Sequence, residues 1–300
     1  MSLSIDNSFV RQYEKDVHEV FQLSGAKLKP GVRMKTGVVG ESTTFQKAGK
    51  GVATTKARNG QITPMNQDHT AITCTLSDFY AGDWVDRLDE AKTNIDERGV
   101  IARGGAMALG RKVDDQIFTV LDTTSQTTVS IVLTSFATIK NSFVSAVKAL
   151  IANDAYEPGM LYGVLSPVGW QMLMTVKEFN DADFVGADGM EFKKNAPVGG
   201  VYKSWMGVLW TVHSANPGVG TATSKMFVWH KDSIGYATGK HPGNLAGTSG
   251  QETAVGADIT WHGDRHAHFV NHVMSGGACL IDDAGVIEIN MDDGGTVPSS

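Results

Sequence analysis

The stretch RLDEAKTNIDERGVIARGGAMALGRKVDDQIFTVL, residues 87–121, carries the clearest periodic pattern in the chain. Its small and apolar residues recur at intervals of three and four, which places them on one stripe of a helix. These residues are Leu88, Ala91, Ile95, Gly99, Ala102, Ala106, Leu109, Val113, Ile117 and Val120. Asp83 and Asp86 are candidate N-caps. At about 1.5 Å per residue the helix would be roughly 50 Å long, so the sequence predicts one long amphipathic helix.

Glycines interrupt this helical stretch at Gly99, Gly104, Gly105 and Gly110. Each costs about 1 kcal/mol relative to alanine inside a helix. We therefore interpret them as positions where another backbone packs closely or where the helix bends.

Residues 31–80 precede this helix and have a different character. Gly37–Phe45 is rich in Val, Thr and Gly, and His69–Leu76 alternates as a strand does. A long polar connection separates the two segments. This pattern predicts an extended arm with too few large apolar side chains to form its own core. The arm must therefore rest on a partner surface, from its own chain or from a neighbouring copy.

The arm and the helix carry opposite net charges. Residues 31–68 hold six basic and two acidic side chains, a net charge of +4, whereas residues 78–122 hold six basic and ten acidic ones, a net charge of −4. Two interpretations stay open: a solvated helix face, or an arm that is complementary to the helix of the next copy. On the second interpretation the candidate intersubunit contacts are Arg33, Lys35, Phe45, Lys47, Lys50, Lys56, Arg58, Asp89, Glu90, Asp96 and Glu97.

The remaining residues alternate short strands and helices. Helices are predicted over Phe9–Leu23, from the N-cap Ser135 to Ala152, and after Ser166-Pro167. Strands are predicted over 129–133, 162–165, 259–274 and 285–289. One hairpin is predicted around Met206-Gly207, between 201–205 and 208–213, and a second around Lys231-Asp232, between 226–230 and 234–237. Asp292–Ser300 is predicted to be a disordered tail.

Composition limits the classes of protein that fit. The chain has 300 residues, a formal net charge of −6 and 41% hydrophobic residues, enough for a sizeable core. No secretory signal or membrane-spanning run is recognisable. Cys74 and Cys279 belong to no Cys-x-x-Cys pair, which favours two buried thiols and a reducing compartment during folding. The acidic balance argues against a dedicated nucleic-acid reader, although not against a protein that encloses DNA.

One cluster of histidines could bind a metal. If residues 259–274 form a single strand, His262, His266, His268 and His272 share one face, and neutral imidazoles suit zinc or another transition metal. A four-histidine row on an unbroken strand is, however, too extended to close one tetrahedral site. We therefore favour a structural role, and keep a histidine-dependent metalloenzyme and a pH-sensitive role as alternatives.

The sequence gives little support to other kinds of catalytic or ligand-binding site. The chain lacks a phosphate-binding Gly-x-x-x-x-Gly-Lys-Ser/Thr motif and a Gly-x-Ser-x-Gly elbow. Asp114-Asp115 and Asp282-Asp283 are adjacent pairs whose side chains point apart, so we interpret them as solvated faces or turns rather than catalytic dyads. No enzyme activity and no cofactor are predicted.

The order of these parts resembles the Hong Kong 97-type capsid fold of tailed phages and encapsulins, and the arm resembles that of the T-seven-like short-tailed phages. The resemblance covers roughly residues 31–290. It rests on order and pattern, in these segments: Gly40–Phe45 with Gly49, His69 and Ile72; Ala81–Asp86; Arg103–Leu121 with Asp114; Tyr162–Pro167 before a Trp-containing helix; and Gly276-Gly277 through Asp283–Ile289.

The resemblance implies an α+β fold with discontinuous domains. These are an N-terminal arm (1–30), an extended loop (31–80), a peripheral domain on a long spine helix (81–134 and 256–292), an axial domain (135–255) and a tail (293–300).

The resemblance also implies a function and partners. It implies a major capsid protein that self-assembles through hexamers and pentamers into an icosahedral head around double-stranded DNA, in the bacterial cytoplasm and then in the virion. Expected partners are a scaffolding protein, a portal, a decoration protein and the packaged DNA, with no membrane. Some relatives cross-link through a loop lysine, and Lys47, Lys50 and Lys56 lie in that region. An encapsulin-like nanocompartment shell is the alternative.

Overall fold

The computed structural model describes residues 26–92, 97–133, 135–176, 179, 192–193, 196–197, 202–240 and 255–294. Its helices are α1 (Arg87–Lys92), α2 (Glu97–Leu121), α3 (Phe136–Ala152) and α4 (Pro167–Thr175). Its strands are β1 (Arg33–Val38), β2 (Ser42–Ala48), β3 (His69–Thr75), β4 (Ser77–Asp86), β5 (Val129–Ile131), β6 (Leu161–Leu165), β7 (Phe192–Lys193), β8 (Ala196–Pro197), β9 (Lys203–Trp205), β10 (Val208–Val212), β11 (Ser224–His230), β12 (Ile234–Gly239), β13 (Val255–His262), β14 (Ala267–Leu280) and β15 (Val286–Met291). Both helices and sheets are thus present, as the predicted α+β class requires.

A five-stranded sheet is organised by the long strand β14. The order is β1-β12-β14-β13, and β4 also pairs antiparallel with β14. The first half of β14 pairs with β13 and the second half with β12. The chain enters the sheet through β1, which runs parallel to β12. Residues 33–38 therefore belong to the body of the subunit and not to the extended loop predicted over 31–80.

A six-stranded sheet has the order β5-β15-β11-β6-β10-β9. Helices α3 and α4 cover one face, where Phe143, Leu150 and Leu173 pack against Trp210 and Val228. The predicted hairpin at Met206-Gly207 is confirmed, since β9 and β10 pair antiparallel and both turn residues have positive φ. Strand β15 pairs with β11 and with β5, so the last strand joins this sheet, and the predicted domain boundaries stay a prediction.

The second predicted hairpin is wrong. Strand β11 pairs with β15 and β6, whereas β12 pairs with β1 and β14, so the two strands lie in different sheets. A single 3-10 turn at Lys231–Ser233 carries the chain from one sheet to the other. The carbonyl of Ser233 accepts hydrogen bonds from the N–H groups of Ile281 and Asp282, which fixes this crossing point. A short connection indicated a hairpin, but local sequence carries no signal for a change of sheet.

Helix α2 joins the two sheets into one core. Its Val113 and Ile117 pack in a buried cluster that holds Trp229 of the six-stranded sheet and Tyr236 and Met274 of the five-stranded sheet. The predicted stripe is therefore buried in the second half of the helix. The stripe is not buried at its N-terminal end, where Leu88 is 59% exposed. Residues 93–96 lie outside the described ranges, so the predicted continuity of α1 and α2 stays a prediction.

Both predicted N-caps of the later helices are confirmed. The Ser135 hydroxyl accepts a hydrogen bond from the N–H of Thr138 at the start of α3, and the Ser166 hydroxyl accepts one from Gly169 at the start of α4. The predicted helix Phe9–Leu23 lies outside the described residues. Of the predicted disordered tail, Asp292–Gly294 lie within the described residues, and the Asp293 carboxylate accepts a hydrogen bond from Ser166 Oγ at 2.8 Å. In the part of the chain that is described, no helix has the length and apolar character of a membrane span.

Asp283 holds the turn after α2 against the start of β15. Its carboxylate accepts hydrogen bonds from Thr124 Oγ1 at 2.7 Å, from the Ser125 N–H at 3.1 Å and from Gln126 Nε2 at 3.0 Å. Burial alone would raise the pKa of Asp283, but these hydrogen bonds outweigh it and lower that pKa below its ordinary value. The pair Asp282-Asp283 is therefore not merely a solvated turn.

The Asp283 network should make stability depend on pH. The charged carboxylate is favoured in the folded state, so its contribution is present above the unfolded pKa of about 3.9 and is lost as the pH falls through the lowered folded value. We expect Asp283→Asn to lower the free energy of unfolding by about 1–2 kcal/mol at neutral pH. Urea unfolding should show this difference as constant above about pH 5 and shrinking as the pH falls below about 4. A constant difference would contradict the assignment.

The adjacent glycines of α2 give a matched test of helix packing. A Cβ on Gly104 would meet nothing within 4 Å, whereas one on Gly105 would lie 2.6 Å from Nδ1 of the buried His272. We expect Gly104→Ala to raise the free energy of unfolding by about 0.5–1 kcal/mol. Gly105→Ala should lower the free energy of unfolding by about 1–3 kcal/mol, because the clash with His272 costs more than the alanine gains in helix propensity. Equal effects in urea unfolding would contradict close packing of α2 on β14.

Candidate assembly surfaces

The extended hairpin, defined as residues 42–75, projects from the body. Strands β2 and β3 pair antiparallel from Ser42 with Thr75 to Ala48 with His69, and the Gly49 N–H donates to the Asp68 carbonyl at 2.7 Å. Every residue from 50 to 71 is exposed, including the whole segment 50–67 beyond this last rung. Three large apolar side chains lie in this part, with exposed fractions of 74% for Val52, 76% for Ile62 and 53% for Met65. The predicted pair of strands with a long polar connection is confirmed.

The hairpin root, defined as Phe45 and Cys74 with the body residues Ala237, Cys279 and Ile281, is a small apolar cluster. Phe45 is 4% exposed, and its ring lies 2.8 Å from the position that a Cβ on Gly235 would take. Phe45 therefore anchors the hairpin to its own subunit, and its prediction as an intersubunit contact is wrong. Alternation along a strand identifies a buried face but not the subunit that buries it.

Two basic residues of the hairpin form ion pairs with the body. Lys47 Nζ lies 2.8 Å from the Asp282 carboxylate, and Lys50 Nζ lies 2.5 Å from that of Asp154. The hydrogen bond and the charge of Lys50 lower the pKa of Asp154. Both pairs are solvent-exposed and therefore weak. In the single subunit these two lysines already have acidic partners, so only part of the predicted positive charge is available to a neighbour.

The other basic candidates differ in their surroundings. The Arg33 guanidinium lies 6.0 Å from the Phe45 ring centroid, and Lys35 Nζ donates to the Thr44 carbonyl at 3.4 Å. Lys56 and Arg58 are exposed near the tip of the hairpin. These two side chains are the ones best placed to reach another copy.

The acidic candidates lie around the start of α2. Arg98 pairs with Glu90 at 2.6 Å, and Lys92 lies 3.6 Å from Asp89. Glu97 opens α2 in its first turn, and Asp96 lies outside the described residues. Contact between these carboxylates and the arm of another copy stays a prediction.

The histidines do not form one row, because the predicted strand 259–274 is a hairpin. Strand β13 ends at His262 and β14 begins at Ala267, with His266 at positive φ in the turn between them. Local strand character did not reveal the turn at Gly263–His266. Among the described residues, no three His, Cys, Asp or Glu side chains converge as a metal site would require.

Aromatic rings hold the end of this hairpin instead. The His262 ring packs 5.0 Å from Trp84, and the His268 ring packs 4.8 Å from Trp261, on opposite faces of the sheet. The Arg265 guanidinium lies 4.5 Å from the Trp84 ring. His272 is 4% exposed and packs against Gly105 of α2. The structural interpretation of the histidines fits these contacts.

Asp114 forms a buried junction that the sequence did not reveal. Its carboxylate accepts hydrogen bonds from the Lys27 and Leu28 N–H groups, both at 3.1 Å. It also lies 3.2 Å from Nε2 of His213, whose Nδ1 accepts from the Ala215 N–H, so Nε2 carries the proton and donates to Asp114. Asp114 is 1% exposed, and its prediction as part of a solvated pair is wrong. The junction fixes the point where the N-terminal segment meets α2.

Comparison with known proteins gives one family. A family model described as phage capsid protein matches residues 5–293. The chain belongs to the phage capsid protein family. No curated protein matches the sequence.

Three solved capsids share the fold of this capsid protein at low sequence identity. The capsid structure of the cyanophage P-SCSP1u has a TM-score of 0.71 at 13% identity, covering 97% of this chain and 95% of that one. Mycobacterium phage Che8 gives 0.68 at 14%, with 95% and 97% covered, and the capsid of Ralstonia phage GP4 gives 0.67 at 12%, with 100% and 99% covered. The predicted Hong Kong 97-type fold is confirmed, whereas special closeness to the T-seven-like phages is not.

These findings establish the class of protein. The chain is a phage capsid protein, a structural subunit of the virion shell, and its family is one of structural proteins and not of enzymes. They give no support to the alternatives of an encapsulin-like compartment or a histidine-dependent metalloenzyme.

The neighbouring residues Asp114 and Asp115 of the capsid protein give a matched pair of substitutions. Asp114→Asn weakens a buried acceptor of two backbone N–H groups and should lower the free energy of unfolding by about 2–3 kcal/mol. Asp115 is exposed and pairs with Lys112, so Asp115→Asn should cost under about 0.5 kcal/mol. Urea unfolding measures both. Trypsin should also cleave after Lys27 faster in Asp114→Asn alone, and equal cleavage would contradict the junction.

Proposed function

We propose that this capsid protein tiles the head as hexamers and pentamers, with the extended hairpin of each copy lying over its neighbour. The exposed apolar residues of the hairpin carry this proposal. Exposed apolar groups on a projecting strand pair mark an interaction surface, and residues 50–71 have no buried side chain within their own subunit.

The free energies of burial favour a neighbouring copy as the surface that covers the exposed apolar side chains. Full burial of one large aliphatic or Met side chain stabilises by about 1.5–3 kcal/mol, and the hairpin carries Val52, Ile62 and Met65 largely exposed. Each contact is modest alone. In a closed shell the same contact recurs at every copy, so modest energies add up without any tight pairwise interface.

Charge supports the same arrangement. Lys56 and Arg58 are exposed near the tip, and Asp89 and Glu97 lie near the start of the helical region, where a neighbour's tip would supply opposite charge. Complementary surface charge contributes more to orientation and to the rate of encounter than to affinity. We therefore propose that the apolar side chains supply the affinity between copies and that the charged side chains set their relative orientation.

The remaining partners follow from the role of a head subunit. We propose that a separate scaffolding protein guides assembly in the host cytoplasm, that a portal occupies one vertex, and that a decoration protein binds the outside. The inner surface meets packaged double-stranded DNA through its phosphates, without reading base sequence. Cross-linking through Lys47, Lys50 or Lys56 stays a prediction.

Shortening the hairpin tests its proposed role. Gly49 and Asp68 are already paired, so replacing residues 50–67 with Asn-Gly leaves a two-residue hairpin turn of a favoured type. We expect the variant to keep the circular dichroism spectrum of the wild type, because no core residue is removed. We also expect it to form no closed shells in electron microscopy after co-expression with the phage assembly genes.

A second variant distinguishes the effect of the length of the hairpin from the effect of its side-chain contacts. Replacing residues 51–66 with Gly and Ser preserves the length of the hairpin but removes Val52, Ile62 and Met65. Loss of shells in both variants supports apolar contacts between copies. Closed shells of normal yield from the shortened variant would refute the proposed overlap.

A further inference from the structure

The only two cysteines of the chain meet at the hairpin root. Cys74 lies on β3 of the extended hairpin, and Cys279 lies on β14 of the body. Both are free thiols and both are buried, with exposed fractions of 0% and 8%. Both side chains belong to the same small apolar cluster, and each thiol alters the pKa of the other. Two residues that are far apart in sequence thus meet across the junction between hairpin and body.

The backbones around the two thiols also lie close together. A Cβ on Gly277, two residues before Cys279, would lie 2.0 Å from the Thr75 carbonyl oxygen, next to Cys74. Strand β3 therefore presses against β14 at this point, and only glycine fits. A disulfide needs Cα atoms within about 4.4–6.8 Å of each other, and this close approach of β3 to β14 favours such a separation without a large movement of either strand.

The surroundings make the two sulfur atoms chemically unequal. The hydrogen bond from Cys279, aided by the Ala237 N–H, lowers the pKa of Cys74 despite its burial. The same hydrogen bond and burial raise the pKa of Cys279. Because the thiolate is the reactive form of cysteine, this difference favours Cys74 as the first of the two sulfur atoms to react.

We propose that Cys74 and Cys279 form an intrachain disulfide under oxidation by a hydroperoxide, which joins the root of the extended hairpin covalently to the body. The sulfur of the Cys74 thiol attacks one oxygen of hydrogen peroxide and the O–O bond breaks. The attacked oxygen stays on the sulfur as a sulfenic acid, and the departing hydroxide takes the proton of the Cys74 thiol to leave as water. The Cys279 sulfur then attacks the sulfenic sulfur of Cys74. The S–O bond breaks, and the hydroxyl leaves with the Cys279 proton as a second water. Each sulfur is oxidised by one electron, and the peroxide is reduced by two.

The consequence for the shell rests on the proposed function. If the hairpin overlaps a neighbour, its root transmits the load between copies, and the contacts that hold this root, among them the small apolar cluster and two exposed ion pairs, are all non-covalent. A disulfide closes a long loop of the chain and restricts the unfolded state. The thiol form leaves the root free to adjust during assembly in a reducing cell, and the disulfide fixes it after release into an oxidising medium.

Peptide mapping tests whether the disulfide forms. Soluble subunit purified with dithiothreitol is freed of reductant, divided, and either treated with hydrogen peroxide or left untreated. Both samples are alkylated in denaturant, digested without reduction and analysed by mass spectrometry. We expect the peptides of Cys74 and Cys279 to appear linked after oxidation and separately alkylated before it. Recovery of both as alkylated peptides after oxidation, or linkage between two chains, overturns the proposal.

Matched variants test the stabilising effect. Oxidation should raise the unfolding temperature of the wild-type subunit by about 5 °C or more and leave Cys74→Ala and Cys279→Ala unchanged. A linked wild type with an unchanged unfolding temperature overturns the stabilising role. Should either alanine variant fail to fold, the wild type kept in dithiothreitol serves as the reduced reference. Because the measurements use unassembled subunit, a failure of shell formation leaves the disulfide test intact.

Discussion

The extended hairpin has apolar burial only at its root. Phe45 and Cys74 enter the cluster with Cys279, whereas every residue from 50 to 71 is exposed within one subunit. An isolated strand pair of this kind is marginal in water, so its order depends on the root and on the surface it comes to cover. The extended shape of the subunit thus follows from a local shortage of apolar side chains, and the same shortage leaves the hairpin able to serve another copy.

The body supplies the rigidity that the hairpin lacks. Helix α2 packs Val113 and Ile117 into one core shared by both sheets, and the turn at Lys231–Ser233 carries the chain directly between those sheets. Asp114 then ties the N-terminal segment to the same helix through two backbone N–H groups. Removing a partner from a buried carboxylate is costly, so this junction gives α2, the N-terminal segment and His213 one fixed arrangement.

Local signals in the sequence predicted the elements better than their partners. Ser135 and Ser166 start helices because a hydroxyl satisfies an N–H group that the helix leaves unpaired, and this depends only on neighbours along the chain. The sheet that the chain enters at Ile234, after β11, depends instead on pairing with β14, which lies far away in sequence. The same holds for Phe45, since alternation shows that it is buried but not by which subunit. Asp114 carried no local sign that the N-terminal segment would reach it.

The ion pairs of the hairpin suit a contact that must be exchanged. Lys50 and Asp154 are more than three-quarters exposed, and an ion pair so exposed to solvent contributes little to stability. Burial of even one of Val52, Ile62 and Met65 against a neighbour would contribute more. In the proposed shell, therefore, the pairs can guide the hairpin in the free subunit but cannot hold it back from a neighbour. A stronger tether on its own body, such as a second apolar cluster beyond Lys50, would oppose assembly, and within residues 50–71 the structure contains none.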